Sequence, residues 1–317
     1  MLGYALRRIL YTLPVMLGVS VVCFALVHIS PGDPLISILP ADASVELQER
    51  LRVLYGFDRS YLEQFILWLG RALQGDLGTS IATGRPVSTE VFRAVGNTLM
   101  LAAVATVIGF VLGCLFGFVA GYFANSPADK AASAAAVFGV SVPHYWLGMV
   151  LVIIFSSQLG WLPAAGAGPG GSSQWRFDLE HLSYMVLPAI TMSVIPMGIV
   201  ARTVRALVAD ILSQEFVSGL RAKGLLDRGV LAHVIKNAAP TALAVMGLQL
   251  GYLLGGSILI ETVFSWPGTG YLLGQAIFQR DLPLLQGTIL VLALFFVVLN
   301  LMVDVVQTAL DPRVQRS

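Results

Sequence analysis

Few residues in this chain are of a type that does chemistry. Of its 317 residues, 56% are hydrophobic and 12% charged, with four histidines, two cysteines and three lysines. Cys23 and Cys114 lie inside apolar runs, where cysteine serves as a small core residue, and no Cys/His cluster has metal-site spacing. No nucleophile–base pair stands out. There is no H-E-x-x-H, no G-x-S-x-G, and no paired Asp or Glu of the kind a proton relay uses inside a membrane. Glu261 and Asp304 fall at the ends of apolar runs, near water, where a charge costs far less than at a membrane midplane. None of the lysines follows a glycine, so a Walker A loop is absent and the chain cannot hydrolyse ATP in the P-loop manner.

What remains is one polar stretch, Ser213–Pro240, SQEFVSGLRAKGLLDRGVLAHVIKNAAP. Its first ten residues predict a short helix, with Glu215 near the start and Arg221 and Lys223 near the end, the polarity a helix dipole favours. Gly224 is placed to cap that helix and Pro240 to begin the next one. A compact charged helix between apolar runs reads either as a docking surface or as a basic loop that only sets orientation.

The elements that must hold this segment are membrane spans. Mean hydropathy is +0.81, and runs of Leu, Val, Ala and Phe reach the roughly 20 residues a helix needs to cross a bilayer. The chain reads as an all-α polytopic membrane protein, a single transmembrane domain over 1–317. Six spans are expected, at 9–29, 97–123, 132–160, 184–204, 239–261 and 284–306, with an outer helical loop 31–96 and a cytoplasmic loop 205–238. The first run follows Arg7 and Arg8 as a signal peptide would, but it ends in SPGDP without a small-residue cleavage site, which reads as a retained span. With both termini inside, the inner segments carry eleven Lys and Arg (Arg7, Arg8, Lys130, Arg202, Arg205, Arg221, Lys223, Arg228, Lys236, Arg313, Arg316) and the short outer loops two, Arg176 and Arg280. The positive-inside rule therefore puts both ends in the cytoplasm.

In the outer loop, Leu47, Leu51 and Leu54 share a helix face. After a turn at Gly56, Ser60 and Glu63 form a capping box for a second helix bearing Tyr61, Phe65, Trp68 and Leu69. Gly109, Gly113, Gly117 and Gly121 recur every fourth residue in span two, as Gly247, Gly251 and Gly255 do in span five. Both sets read as seams for close helix packing. Span three is interrupted at Pro143, beside His144 and Tyr145, and Pro188 and Pro196 soften span four.

EFVSGLRAKG followed by HVIKNAAP resembles the cytoplasmic coupling segment of ABC-transporter permeases, in the branch that imports dipeptides, oligopeptides and nickel with a binding protein. RRILYTLPVMLGVSVVCFALVHISPGDP, GDLGTSIATGRPV and the run ETVFSWPGTGYLLGQAIFQRDLPLLQG to NLMVDVVQTALDPR agree, so the resemblance extends from end to end and is to the B-type permease with a large loop after span one. It implies a type I (MetI-like) importer fold in a bacterial inner membrane. The implied partners are a second homologous permease, two cytoplasmic ATPases and an extracytoplasmic binding protein, with lipid around the spans and no nucleic acid. No cofactor is implied for this chain, ATP and Mg being held by the ATPases.

The resemblance assigns ATPase coupling to Glu215, Arg221, Ala222, Lys223, Gly224, Asn237 and Pro240. The alanine common in the family at the position of Gly219 is missing. It assigns an outer gate or binding-protein contact to Glu261, Trp266, Pro267, Gly268 and Asp281, a set that reads equally as a rigid loop with an interfacial tryptophan. Peptide cargo is expected, with nickel or a metal chelate, glutathione or an opine-like compound as alternatives. A channel or secondary carrier that needs no nucleotide is the rival from another class.

Overall fold

The computed structural model describes residues 2–29, 44, 46, 48–50, 53, 58–172 and 175–310, without the side chains of 2–11, 26–29, Leu254, Gly256 and 303–310. The helix expected on Leu47, Leu51 and Leu54, the turn at Gly56, the side chain of Asp304 and the basic residues Arg313 and Arg316 lie outside what is described.

Among the described residues the fold is helical throughout, with one isolated antiparallel bridge, Thr79 to Pro86. The helices are α1 (Leu2–Ile29), α2 (Tyr61–Leu73), α3 (Val87–Tyr122), α4 (Pro127–Ser141), α5 (His144–Leu151), α6 (Leu179–Ser213), α7 (Glu215–Ala222), α8 (Asp227–Val263), α9 (Thr269–Phe278) and α10 (Leu282–Leu310). A π-helical turn, Val152–Gln158, continues α5.

Among the described residues, four segments are long and apolar enough to cross a membrane: Val87–Tyr122, Leu179–Ser213, Asp227–Leu253 and Leu282–Met302. The span expected at 132–160 is broken. α4 and α5 with its π-turn meet at 101°, and only as a bent pair do they make a fifth crossing. The break follows from Pro143, which holds Val142 in an extended conformation (φ −82°, ψ 129°) and opens α5 as its N-cap. In α1, Thr12–Ala25 forms a shorter apolar segment.

The chain divides into two compact units. One comprises Thr98–Trp266 with Met302–Ser317, the other Met1–Asn97 with Pro267–Leu301. In the first, α6 is the central helix, with most of its apolar stretch buried. One end of this unit holds a cluster of Leu101, Met185, Leu187, Ile260, Phe264 and Trp266, and another cluster gathers Val200, Val204, Val208, Val217, Val230 and Val234. The glycine-rich loop before α6 closes on the first cluster. Gly166 N–H donates to Phe264 O (2.8 Å), Ala167 is fully buried, and Gly168 lies so close to the His181 ring that a Cβ there would clash with it. Asp178, the N-cap of α6, accepts from the His181 backbone N–H and pairs with its Nδ1 (2.7 Å). Those two hydrogen bonds, the backbone one foremost, hold the Asp178 carboxyl below its ordinary pKa.

In the second unit the Ser60/Glu63 capping box opens α2. Its core is Leu77, Val87, Val91, Ala276, Leu284 and Val291. A Cβ on Gly287 of α10 would sit 2.5 Å from Val87 Cγ1, so these helices touch where the glycine stands.

Candidate functional site

The polar segment of the sequence folds into a short helix held by one face. α6 ends at Ser213, and Gln214 alone, in extended conformation (φ −74°, ψ 147°), turns the chain into α7. Val217 of α7 is fully buried among Val208, Ile211, Val230 and Val234, and Leu220 and Leu225 pack at the edge of that cluster. The helix terminates in a Schellman motif. Gly224 has φ +79°, its N–H donates to Arg221 O (2.9 Å), and Leu225 N–H reaches back to Leu220 O (3.2 Å). The apolar contact that accompanies this motif is supplied by Leu220 and Leu225 themselves.

The remaining face of α7 is bare. Glu215, Arg221, Ala222 and Lys223 are exposed, Phe216 is 39% exposed, and Leu226 just beyond is 80% exposed. A Cβ on Gly219 would meet nothing within 4 Å. Asn237 is exposed, and its Nδ2 donates to His233 O one turn back in its own helix (2.8 Å).

Pro240 does not begin a helix. It lies inside α8, which starts at Asp227 and runs unbroken to Val263. Val230, Val234, Ala238 and Ala242, spaced by four, form a buried stripe against α6 that carries the helix through the proline. The lost hydrogen bond is the kind a packed membrane helix tolerates. The expected loop 205–238 is thus mostly helix, with α6 and α8 extended past the ends read from hydropathy.

An ion pair braces the same end of this unit. Arg205 of α6 donates from Nε (2.9 Å) and Nη2 (2.7 Å) to both oxygens of Asp129. Asp129 also accepts from Asn125 N–H (2.8 Å) and Ser133 Oγ (3.1 Å), and its side chain is 4% exposed. Asn125 sits in the left-handed region (φ 66°), and Ser126 Oγ caps α4 by accepting from Asp129 N–H (3.2 Å). Sequence reading missed this group, although Ser126-x-x-Asp129 has the spacing of a capping pair.

The first glycine seam closes on α6. A Cβ on Gly109, Gly113, Gly117 or Gly121 would lie 3.0, 2.9, 2.5 or 2.7 Å from the carbonyl oxygens of Ser193, Met197, Ala201 and Arg205, respectively. Both rows advance by four, so the backbones stay in contact over about 18 Å of helix. Gly198 does the same toward Ala136 O (2.8 Å) of α4, a contact the sequence did not single out. The second seam differs. Gly255 is exposed and open within 4 Å, while Gly247 and Gly251 are half-buried.

The residues expected at an outer surface are largely inside. Glu261, expected near water, is fully buried and accepts from Thr98 Oγ1 (2.7 Å). Trp266, expected as an interfacial anchor, is fully buried too, its N–H on Glu261 O (2.8 Å), with Ser265 before it at φ 45°. The reason is the turn after α8, which folds Phe264 and Trp266 back into the apolar cluster. In the other unit, Pro267 O accepts from Asn97 Nδ2 (2.8 Å), and Gly268 is the N-cap of α9. Asp281 is fully buried. It accepts from Leu284 N–H (3.1 Å) at the start of α10, from Ser80 Oγ (2.5 Å) and from Ala82 N–H (3.1 Å), fastening the loop before α3.

The central helix α6 thus packs against a glycine row on α3, and the short helix α7 that follows it leaves one face bare. Residues 109–316 match the family model described as the binding-protein-dependent transport system inner membrane component, and the chain belongs to that family. It is the permease of an ABC importer. Over 99% of its length it is 37% identical to the dipeptide transport system permease protein DppB of Alkalihalophilus pseudofirmus, covering all of that protein. It is equally 37% identical to the glutathione transport system permease protein GsiC of Escherichia coli strain K12, covering 99% of both. Among solved structures it resembles the inward-facing MetNI methionine ABC transporter. The TM-score is 0.54 at 17% identity, over 70% of this chain and 96% of that one, a likeness of fold.

Proposed function

We propose that this chain pairs with a second permease to form the pathway of an ATP-driven importer for di- and oligopeptides delivered by a binding protein. Two ATPase subunits hold ATP and Mg, and one of them docks at α7. The observation that carries this reading is α7 itself, anchored by Val217 and presenting Glu215, Phe216, Arg221 and Lys223 outward. Such a helix transmits force in both directions. ATPase closure pushes α7, its buried side moves α6 and α8, and the glycine seam lets α3 follow α6 without losing contact. With α7 on the ATPase side, both termini are cytoplasmic and the loop after α1 lies outside. The half-buried Gly247 and Gly251 and the exposed Gly255 on α8 suit contact with the second permease, since small residues let helices approach closely in lipid. The burial of Glu261 and Trp266 in one unit, and of Asp281 in the other, supports structural roles for these residues rather than a surface the binding protein touches directly.

A second cargo, glutathione, is favoured by the Escherichia coli relative of equal identity. The test is the complex co-purified with this chain from its own cells and reconstituted in lipid. ATP hydrolysis is measured with the binding protein empty, loaded with di- to pentapeptides, or loaded with glutathione. Stimulation by peptides supports the first cargo, and stimulation by glutathione alone replaces it. A chain that purifies without ATPases and passes solute without nucleotide refutes the importer assembly. Gly224→Trp in the same complex should abolish uptake while the binding protein still takes up substrate, and unchanged uptake would remove the coupling role from α7.

A further inference from the structure

α2 is apolar on two adjacent faces, and among the described residues contacts from the rest of the chain cover only one of them. Phe65 and Trp68 pack on Phe24 of α1, with ring centroids 5.4 and 6.1 Å apart, and Ala72 packs at the edge of the unit's core. Beside them run Leu62, Ile66, Leu69 and Leu73, which fall within about 60° of one another on a helix of 3.6 residues per turn. Leu62 is 68%, Ile66 59% and Leu73 81% exposed, and no residue of α2 is fully buried. The third face carries Glu63, Gln64, Gly70 and Arg71, with the 44% exposed Leu67 among them.

We propose that α2 lies in the bilayer interface, at the end of the membrane where α1 emerges, with its Leu62–Ile66–Leu69–Leu73 stripe immersed in phospholipid. Two observations choose lipid as the occupant. The first is depth. Phe24 lies five residues before the end of α1 at Ile29, which at 1.5 Å per residue places the α2 contact about 7.5 Å below the end of that apolar helix. That falls within the roughly 5–10 Å to which an interfacial amphipathic helix buries its apolar face. The second is continuity. α1 itself exposes Leu17, Val21 and Val22 by about half, so the face of the span that meets α2 belongs to a helix already turned to lipid on its flank. A soluble partner that comes and goes would leave the three exposed aliphatic side chains of the stripe, Leu62, Ile66 and Leu73, in water between encounters, whereas lipid covers them throughout the cycle.

The placement has a consequence for the loop that follows. Gln74 to Asp76 lead directly from α2 into the 77–86 turn, which Asp281 holds through Ser80 and Ala82. α2 therefore sets the height of that turn relative to the membrane surface.

The test is site-directed spin labelling of the complete transporter in phospholipid nanodiscs, on a Cys23→Ala, Cys114→Ala background that retains uptake. Nitroxides are placed at positions 62, 63, 64, 66, 71 and 73, and collision with oxygen and with a water-soluble nickel chelate is measured. Labels at 62, 66 and 73 should collide several-fold more with oxygen than with nickel and report depths of about 5–10 Å below the phosphates. Labels at 63, 64 and 71 should show the reverse. Nickel accessibility at 62, 66 and 73 equal to that at 64 overturns the proposal. So does loss of both collisions there on adding the binding protein, which would make the stripe that protein's contact. As a second measurement, Ile66→Glu should bring the label at 62 into nickel contact, while Gln64→Glu should leave it unchanged. An unchanged profile in Ile66→Glu also counts against immersion.

Discussion

Adding a single methyl group to the glycines of α3 should push α3 away from α6 in a graded way. At Gly117 a Cβ would stand 2.5 Å from Ala201 O, 2.9 Å from Val204 Cβ and 3.0 Å from Ala201 Cα. Two of these three atoms are backbone, so no side-chain rotation relieves the clash and the helices must part. Overpacking of this kind costs about 1–3 kcal/mol. Replacing glycine by alanine in a helix returns at most about 1 kcal/mol in backbone entropy. The clash wins at Gly117 and Gly121, where the gap is 2.5 and 2.7 Å, and comes closer to balance at Gly113 and Gly109, at 2.9 and 3.0 Å. Gly219 of α7 is the control, with nothing within 4 Å of its Cβ and no positive φ to strain. Alanine there should stabilise α7.

The assay is the midpoint of thermal unfolding of the purified complex by intrinsic tryptophan fluorescence, with size-exclusion recovery as a check. The expected order of loss is Gly117→Ala, then Gly121→Ala, then Gly113→Ala and Gly109→Ala, with Gly219→Ala at or above the parent. A scrambled order, or Gly117→Ala as stable as Gly219→Ala, would refute the claim that backbone contact sets this seam.

Gly224→Ala should cost about 1–2 kcal/mol of local stability from a side chain at φ +79°, read as faster amide exchange in α7 and reduced coupling of ATP hydrolysis to the binding protein. Arg205→Ala leaves Asp129 with only its Asn125 and Ser133 partners and should lower the unfolding midpoint, with Arg205→Lys recovering part of it because one of two hydrogen bonds is kept. Thr98→Val deprives the buried Glu261 carboxyl of a donor and should destabilise by about 1–3 kcal/mol, more than Thr98→Ser, which keeps the hydroxyl. Because the Asp178 pKa is lowered on folding, its contribution is complete above the ordinary carboxylate pKa and disappears as pH falls through the folded value. Asp178→Asn should therefore narrow the stability gap between neutral and acidic pH, seen as unfolding midpoints compared at pH 7 and pH 3.

Several features were legible in the residues because their causes are local. The capping box at Ser60 and Glu63, the αL glycine that ends α7 and the glycine spacing of α3 each depend on neighbours within a turn or on one repeat. The end-to-end resemblance to ABC permeases rested on the same local strings, and the family match over 109–316 agrees with it. Pro240 was misplaced because a proline signals a helix boundary only when nothing else holds the helix together. The Val230–Ala242 stripe against α6 does hold it. Glu261 reads as near water, and Trp266 as an interfacial anchor or outer gate, because they flank an apolar run. Their burial depends on a turn that folds Phe264 and Trp266 into residues more than sixty positions earlier, such as Met185 and Leu187.

Composition and periodicity by themselves determined that this is a helical membrane protein, and the local motif strings carried the resemblance to the permease family. Those properties follow from transfer free energies and motifs that any short window contains. Tertiary structure alone decided which glycine seam is closed within the chain, which carboxylates are buried and satisfied, and which face of α7 is left bare. Each of those depends on what a distant helix brings to within van der Waals distance. A residue's own neighbours in sequence carry no record of that partner.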